Sequence, residues 1–577
     1  MWSIIQRTNQ PYFTYKTRSI ENKFCAANQG RNNAALATRT CRSTDSMIIH
    51  SLFNNRAWNQ SILSFFIIYF ALSACIYTEV SASDFTDSVD RLFRQWNRNN
   101  SPGCTLAIVR DGEILYKKAY GMSNLRYDLP NTTTTIFRAG SNSKQFTAFA
   151  ILLLEEEGLV GLDDDVRMYV PEVPDFGKTI TLRHLLHHIS GLRDFYELFA
   201  FSGRHIMADP VDKEQTFALI SRQKKLNFDP GEQFIYSNTG YFLLAEIVAR
   251  VSGKSFAEFV NERIFEPLGM THSQFRDNYL AIVKNFADPY APNPDGGFLQ
   301  MSINTSTVGA EGLLTTVEDL AKWDQNFYTP IVGSQRILQK MHQKAILNNG
   351  TQNPYAVGII VDEYKGRKLV FHGGDIGGYH GNIVRFPEEH FSILTLSNNA
   401  DLNSGVLLEK SLQIADLHFN NPQTPVTNFL IHEPSLSRWG LDLDFMKAFD
   451  LQRSSSLQTM LQTSRKTDAD DFLKTVAPQI TEEAAQEYVG RYYSEELEVF
   501  YTITYEGDLL HFKFPITHLV TEFTSRLVRR DRITFVESDL LSGNFLRNVA
   551  GEVIGFQISN PRVLNLEFRK AEIVMKE

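Results

Sequence analysis

Ser141-Asn142-Ser143-Lys144 brings together the two side chains in this sequence best suited to covalent chemistry, a hydroxyl and an amine three residues apart. Positions i and i+3 share a helix face, so the spacing predicts that Ser141 and Lys144 are neighbours in space. A serine hydroxyl attacks a carbonyl only when a nearby group accepts its proton, which a partly desolvated lysine or a polarised tyrosine can do. Alone the motif is weak, because a serine cap followed by a solvated lysine is common. Two more segments follow it in order, Tyr236-Ser237-Asn238 and His372-Gly373-Gly374. Read singly, Tyr236 is a core aromatic, Asn238 a helix cap and the two glycines a turn or a close backbone approach. As an ordered set they describe a serine acyl-transfer site.

The elements around these residues fit that chemistry. Residues 135–140 read as a strand end and 146–154 as an apolar helical run, which places Ser141 at a helix N-terminus. Unpaired N–H groups and the positive end of the helix dipole favour a developing oxyanion there. Upstream, 85–96 reads as an amphipathic helix, and Cys104–Arg110 and Glu113–Tyr120 as strands joined by Asp111-Gly112, a hairpin signal. A largely helical stretch over 145–269 holds the first two motifs, and strands return over 355–397, with 368–371 leading into His372. Strands at both ends of a helical middle predict an α+β fold: one antiparallel sheet, a helical subdomain, and a cleft between them.

On these motifs the chain resembles the serine β-lactamase and penicillin-recognising hydrolase superfamily, in the branch of class C β-lactamases, DD-peptidases, D-aminopeptidases and some esterases. The resemblance runs over 84–419 and takes in three further segments, at 182–192, 265–270 and 309–316. It implies the β-lactamase/transpeptidase-like fold, with Ser141 the acylated nucleophile, Lys144 its electrostatic and proton-transfer partner and Tyr236 the general base that later protonates the leaving group. Asn238 would orient the substrate amide. The backbone N–H groups of Ser141 and Asp375, just after Gly374, would form the oxyanion hole. His372 stands where many relatives carry the Lys of Lys-Thr-Gly. An imidazole is charged only when its surroundings allow it, so this departure argues against a dedicated β-lactamase. It also predicts that preference for carboxylate-bearing substrates weakens as pH rises past about 6.5.

The chain has 577 residues, 43% of them apolar, which predicts two folded domains with extensions. A net charge of −9 gives no basic footprint for nucleic acid, and no phosphate-binding glycine loop is present. The expected partner is a small-molecule or peptide substrate. Cys25, Cys41, Cys75 and Cys104 form neither a disulfide framework nor a metal-ligand pattern, and His187-His188 has no ligating residue at metal spacing. No cofactor or metal is expected.

Residues 1–82 read as a targeting region. An apolar run at 62–72 and the small residues Val80-Ser81-Ala82 have the form of an export signal; Leu72-Ser73-Ala74-Cys75 resembles a lipobox, and membrane anchoring through this segment is the variant of that reading. The acid-poor stretch 1–46 supports the alternative of a mitochondrial transit peptide. Residues 83–419 are the hydrolase domain and 420–479 a partly helical linker. Residues 480–577 carry short alternating strands at 498–505, 509–514, 532–536, 553–558 and 563–568, predicting a small all-β barrel. Opened by Tyr488-Val489-Gly490-Arg491-Tyr492-Tyr493, it resembles the lipocalin-like domain attached to some β-lactamase-related hydrolases. It holds no catalytic set, and its expected role is to cap or brace the cleft. The chain thus reads as an exported serine hydrolase acting through an acyl-enzyme on peptide-like amides or esters. A β-lactamase or DD-peptidase acting on D-amino-acid termini is one alternative, and a penicillin-binding sensor or assembly protein with little turnover is another.

Overall fold

The computed structural model describes residues 82–204, 209–419, 481–506, 509–513, 522–529, 531–535 and 541–571. The apolar run at 62–72, the lipobox-like segment, the transit-like stretch and the 420–479 linker lie outside them.

An opening helix, α1 (Ala82–Phe93), precedes the hairpin β1 (Cys104–Arg110) and β2 (Glu113–Tyr120). Asp111 and Gly112 both take positive φ, +50° and +82°, as a tight hairpin turn matched to strand twist requires. The remaining main strands are β3 (Ile360–Tyr364), β4 (Arg367–Ile376), β5 (Tyr379–Phe386) and β6 (Phe391–Ser397). They form one antiparallel sheet in the order β3-β4-β5-β6-β1-β2. The N- and C-terminal parts of the domain therefore meet at the β6–β1 pair, as the sequence predicts.

Strands β1, β5 and β6 are buried almost throughout because both faces of the sheet are covered. Leu106, Ile108 and Val384 join one apolar cluster with Val89 and Phe93 of α1 and with Leu407 and Leu412 of the helix Ser404–His418. Ala107, Val109, Ile383 and Leu394 join the other, with Phe146, Phe149 and Trp323. This alternation of neighbours along β1 is the period-2 geometry of a strand between two layers. The second layer is the helical subdomain, whose central helices are α2 (Ser143–Glu156), α3 (Phe195–Phe201) and α4 (Asn238–Ser252); the helix Ser404–His418 is α5. Helix α2 is buried from Ser143 to Leu154, so it runs through the interior.

The C-terminal part is a closed antiparallel barrel of eight strands: β7 (Gly490–Ser494), β8 (Val499–Glu506), β9 (Leu509–Lys513), β10 (Glu522–Arg529), β11 (Arg532–Phe535), β12 (Ser542–Arg547), β13 (Val553–Asn560) and β14 (Val563–Lys570). Pairing of β7 with β14 closes it. Tyr492, Tyr501, Phe512, Phe545, Phe556 and Phe568 point inward and are buried, and Phe556 stacks on Phe568 at 4.7 Å. Aromatic side chains thus fill a barrel of this size. The sequence had signalled five of these strands. It missed β7, β10 and β12, whose charged or Gly- and Asn-containing segments carry weak apolar alternation.

The barrel is docked on the hydrolase domain through a buried ion pair. The Arg193 guanidinium donates to Glu496 at 2.6 Å and to the carbonyls of Leu564 and Asn565 at 2.9 and 3.2 Å. Both charged side chains are buried, so neither has water as an alternative partner. Tyr501 donates across the same boundary to the Phe201 carbonyl at 2.8 Å. Substituting Arg193→Ala strands the Glu496 carboxylate, and truncating one member of such a pair costs about 3–5 kcal/mol. Hydrogen exchange should then rise across 560–565 before it rises in the main sheet; unchanged protection there would show that Arg193 does not hold the barrel in place.

Candidate active site

The chain reaches Ser141 through the short strand Phe137–Arg138 and a 3-10 turn, Gly140–Asn142. Helix α2 begins at Ser143, three residues earlier than the apolar run suggested, and Ser141 sits in the turn just before it. This turn presses against β4. A Cβ on Gly374 would fall 2.1 Å from the Ala139 carbonyl oxygen and 2.8 Å from the Ser141 nitrogen, so only glycine allows the approach. Of the two serines, Ser143 is buried and committed: its hydroxyl donates to the Gly140 carbonyl at 2.7 Å and accepts from the Leu313 N–H at 3.1 Å. Ser141 keeps partial exposure and faces the amine.

Lys144 is fully buried. Its Nζ reaches Ser141 Oγ at 3.1 Å, Asn238 Oδ1 at 2.9 Å and the Ala310 carbonyl at 2.7 Å. Three acceptors match the three donors of an ammonium group. Burial nevertheless pushes the amine well below its ordinary pKa; the Asp194 charge pulls it back up, and Arg562 pushes it further down. Burial thus favours the neutral form of the amine, whose lone pair accepts a proton from the oxygen it touches. It also lies over the Tyr236 and Tyr241 rings, 4.7 and 5.6 Å from their centroids, which favours the protonated form once made.

Asn238 is the first residue of α4 rather than its cap. The capping position falls to Ser237, which makes no side-chain cap bond. The Asn238 amide instead bridges: its oxygen accepts from Lys144, and its NH2 donates to Asp194 Oδ2 at 2.8 Å, the same oxygen that accepts the Asn238 backbone N–H at 2.6 Å. The other Asp194 oxygen caps α3 through the Tyr196 N–H at 2.9 Å. Asp194 thus fixes which way the Asn238 amide points. Sequence reasoning missed it, although an Asp before Phe195 is a helix-start signal. Tyr236 lies against His188, ring centroids 4.1 Å apart, and the His188 Nδ1 accepts the Ser237 N–H at 3.1 Å. His188 therefore seats the Tyr236 segment. The Tyr236 hydroxyl is buried and makes no well-aligned hydrogen bond among the described residues. Burial pushes its pKa up, while the nearby Ser141 hydroxyl and the Arg562 charge draw it down; the first effect wins, so the group is a phenol.

His372 differs from expectation. It is 1% exposed, and both ring nitrogens are used inside the protein: Nε2 pairs with the Tyr355 hydroxyl at 3.0 Å and Nδ1 with the Gly373 carbonyl at 2.5 Å. The carbonyl can only accept, so Nδ1 carries the proton and Nε2 accepts from Tyr355. Burial, with the Lys144 charge, pushes its pKa down to about 3. The expected imidazolium facing substrate is thereby corrected: His372 is a neutral strut beside Tyr236, whose ring is 6.4 Å away. Its orientation was not legible because β4 is buried on both faces. Gly374 and Asp375 do reach the Ser141 turn; a Cβ on Gly140 would lie 2.8 Å from the Asp375 nitrogen. The Asp375 carboxylate turns away, accepting from His380 Nδ1 at 2.5 Å, the Ser404 N–H at 2.8 Å and the Ser404 hydroxyl. Its backbone is what the turn meets.

A sheet backed by a helical subdomain, with a serine and a buried lysine where the two meet, defines the class of β-lactamase-fold serine hydrolases. Residues 89–414 match the Beta-lactamase family, and the chain belongs to it. It is 30% identical over 325 residues to penicillin-binding protein 4* of Bacillus subtilis, covering 54% of this chain and 71% of that one. It is 24% identical over 456 residues to the D-aminopeptidase of Brucella anthropi, covering 74% and 86%. In fold it is similar to the octameric penicillin-binding protein homologue from Pyrococcus abyssi, with a TM-score of 0.51, 24% identity and coverage of 85% and 100%.

The buried imidazoles have a consequence for stability. His187 is pushed by burial to about 4 and His372 to about 3, and His188 lies well below 6.5. With folded values below the unfolded 6.5, the unfolded chain binds more protons under acid conditions. Stability is therefore complete above 6.5 and is lost as pH falls toward the folded values. Denaturant unfolding should show a loss of roughly 1 kcal/mol per imidazole between about pH 7.5 and 5.5. A midpoint that does not move over that interval would contradict neutral burial.

Proposed function

We propose that this chain hydrolyses peptide-like amides or esters through an acyl-enzyme on Ser141. The observation that carries the reading is the contact between the Ser141 hydroxyl and the buried Lys144 amine, 3.1 Å apart, with the lysine's other two directions filled by Asn238 and Ala310. Lys144 accepts the Ser141 proton as Oγ bonds to the substrate carbonyl carbon. The carbonyl oxygen takes the new negative charge and is received by the backbone N–H groups of Ser141 and Asp375. The Tyr236 phenol, beside Ser141, donates a proton to the leaving amine or alcohol as the C–N or C–O bond breaks, and the proton held by Lys144 restores it. Water then releases the acyl group by the same steps in reverse order. This reading gives Lys144 the first proton transfer, in place of Tyr236, because Lys144 Nζ lies 3.1 Å from Ser141 Oγ and burial lowers its pKa, the direction a base needs, whereas burial raises that of the Tyr236 phenol.

Similarity to a D-aminopeptidase supports an amide substrate over a lactam. The set of Ser141, Lys144, Tyr236 and Asn238 argues against a dead enzyme, and a sensor is told from a hydrolase by the lifetime of the adduct, since a sensor stays acylated. Export remains part of the proposal on the strength of the apolar run at 62–72, and N-terminal sequencing of the mature protein decides it.

Ser141→Ala should abolish labelling by a fluorophosphonate serine probe and all turnover, with thermal unfolding unchanged. Mass spectrometry should place the adduct on Ser141; an adduct on Ser143 would overturn the assignment. Lys144→Ala and Tyr236→Phe should each slow acylation by about a hundredfold or more. Near-normal acylation in Lys144→Ala would mean that another group takes the proton.

A further inference from the structure

The Asp375 carboxylate takes no direct part in the chemistry above, yet three donors converge on it. Strands β4 and β5 are joined by Gly377-Gly378, both at positive φ, +50° and +83°, and this tight turn makes Asp375 and His380 direct partners across the hairpin. Partners in such a pair stand on one face of the sheet. The Cα of Gly374 faces the Ser141 turn, so its neighbour Asp375 points to the opposite face, toward α5. There its carboxylate accepts from His380 Nδ1 at 2.5 Å, from the Ser404 N–H at 2.8 Å and from the Ser404 hydroxyl. Ser404 is the first residue of α5, a helix of 15 residues, so the carboxylate also lies at the positive end of that helix dipole.

The His380 side chain is 2% exposed and that of Asp375 13%, so little water competes for the bond between them. The carboxylate accepts, so His380 Nδ1 carries the proton. The other ring nitrogen, Nε2, is buried and makes no hydrogen bond among the described residues. A buried polar atom left in that state is costly, and the bond to Asp375 is the polar contact that the ring makes in return. Asn382, two residues along β5, steadies the third member of the cluster by donating to the Ser404 carbonyl at 2.5 Å. What the cluster holds lies on the other side of the strand. A Cβ on Gly140 would fall 2.8 Å from the Asp375 nitrogen, and one on Gly374 2.8 Å from the Ser141 nitrogen, so the two N–H groups assigned to the substrate oxygen each border the other's segment. Strand β3 pairs only with Arg367–Phe371, so among the described residues Asp375 has a strand partner on the β5 side alone. Its remaining anchor is its own side chain.

We propose that His380 is a positioning residue: through the Asp375 carboxylate it ties the Asp375 peptide to β5 and α5, and so holds that peptide's N–H where the substrate oxygen becomes negative. This rests on the acyl-enzyme reading and deepens it, by naming the side chain that sets one wall of the oxyanion site. An oxyanion donor works only when it is in place as the charge develops, and removing one costs about 10²–10³ in rate. A donor that is present but free to drift forfeits part of that factor.

The test uses the full chain with p-nitrophenyl acetate, whose burst of nitrophenol reports acylation of Ser141, and with phenylboronic acid, whose adduct on a serine is tetrahedral and anionic. His380→Leu keeps the bulk and removes the donor; His380→Asn returns an amide N–H near the place of Nδ1. In His380→Leu the maximal acylation rate should fall about tenfold to a hundredfold while half-saturation by the ester stays within about twofold, because the loss is confined to the transition state. Phenylboronic acid should weaken by the same factor, and His380→Asn should recover most of both. A purely structural role would lower thermal stability without this matched pair of losses. An unchanged acylation rate in His380→Leu, or a slower rate with boronate affinity unchanged, overturns the proposal. Should His380→Leu fail to fold, Ser404→Ala takes its place: with one donor to Asp375 gone, rate and boronate affinity should fall together by about threefold to tenfold, and no change in either overturns the proposal. A burst that needs Ser141 but ignores His380 removes only the role of His380. If Ser141→Ala leaves the burst in place, the acyl-enzyme reading has failed and this inference falls with it.

Discussion

Lys144 Nζ is held between Ser141, Asn238 and the Ala310 carbonyl and is fully buried, and the geometry of the cleft follows from that burial. A buried cation is costly unless its donors are all matched, and a neutral amine is a base only if its acceptor face meets the nucleophile. Both conditions constrain the same few ångströms. They require α2 to be buried from its first residue, which explains why its Phe146–Leu154 segment is apolar at every position but Thr147. They also require the 309–312 segment to lie along α2, where the Gly309 carbonyl accepts from Thr147 and the Ala310 carbonyl from Lys144.

Asp194 connects this interior to the barrel. Its carboxylate orients Asn238, and so the acceptor that Lys144 sees, while its N–H holds the Arg562 carbonyl and its neighbour Arg193 holds Glu496, Leu564 and Asn565. Two consecutive residues therefore orient the Asn238 amide that meets Lys144 and dock the second domain. The charges of Asp194 and Arg562 act on Lys144 in opposite directions, the first raising and the second lowering its pKa.

The sequence made some of this legible and hid the rest for definable reasons. Ser141 and Lys144 could be paired because helical spacing alone makes them neighbours, and Asp111-Gly112 announced its hairpin because few turns suit such a pair. Tyr236 and Asn238 were legible through order along the chain. The second use of the Asp194 carboxylate was hidden, since a helix cap already accounts for an Asp in that position. Arg562 was hidden too: Asn560-Pro561 signals a turn, but nothing local says that the turn ends over a tyrosine 326 positions earlier. His372 failed differently. Alternation identifies a strand facing water on one side, and β4 is buried on both, so the direction of its ring had no signature in the sequence.

The central claim, that a desolvated Lys144 is the base for Ser141, is tested most directly by the pH dependence of Ser141 acylation in the single-turnover regime. The account predicts a rate that rises with pH along a limb centred well below the ordinary lysine value of 10.5 and then levels as the amine becomes neutral. Asp194→Asn removes the charge that raises this pKa, so the limb should move to lower pH; Arg562→Ala removes one that lowers it, so the limb should move to higher pH. A limb at the ordinary lysine value, or one that stays in place in both variants, would contradict the account.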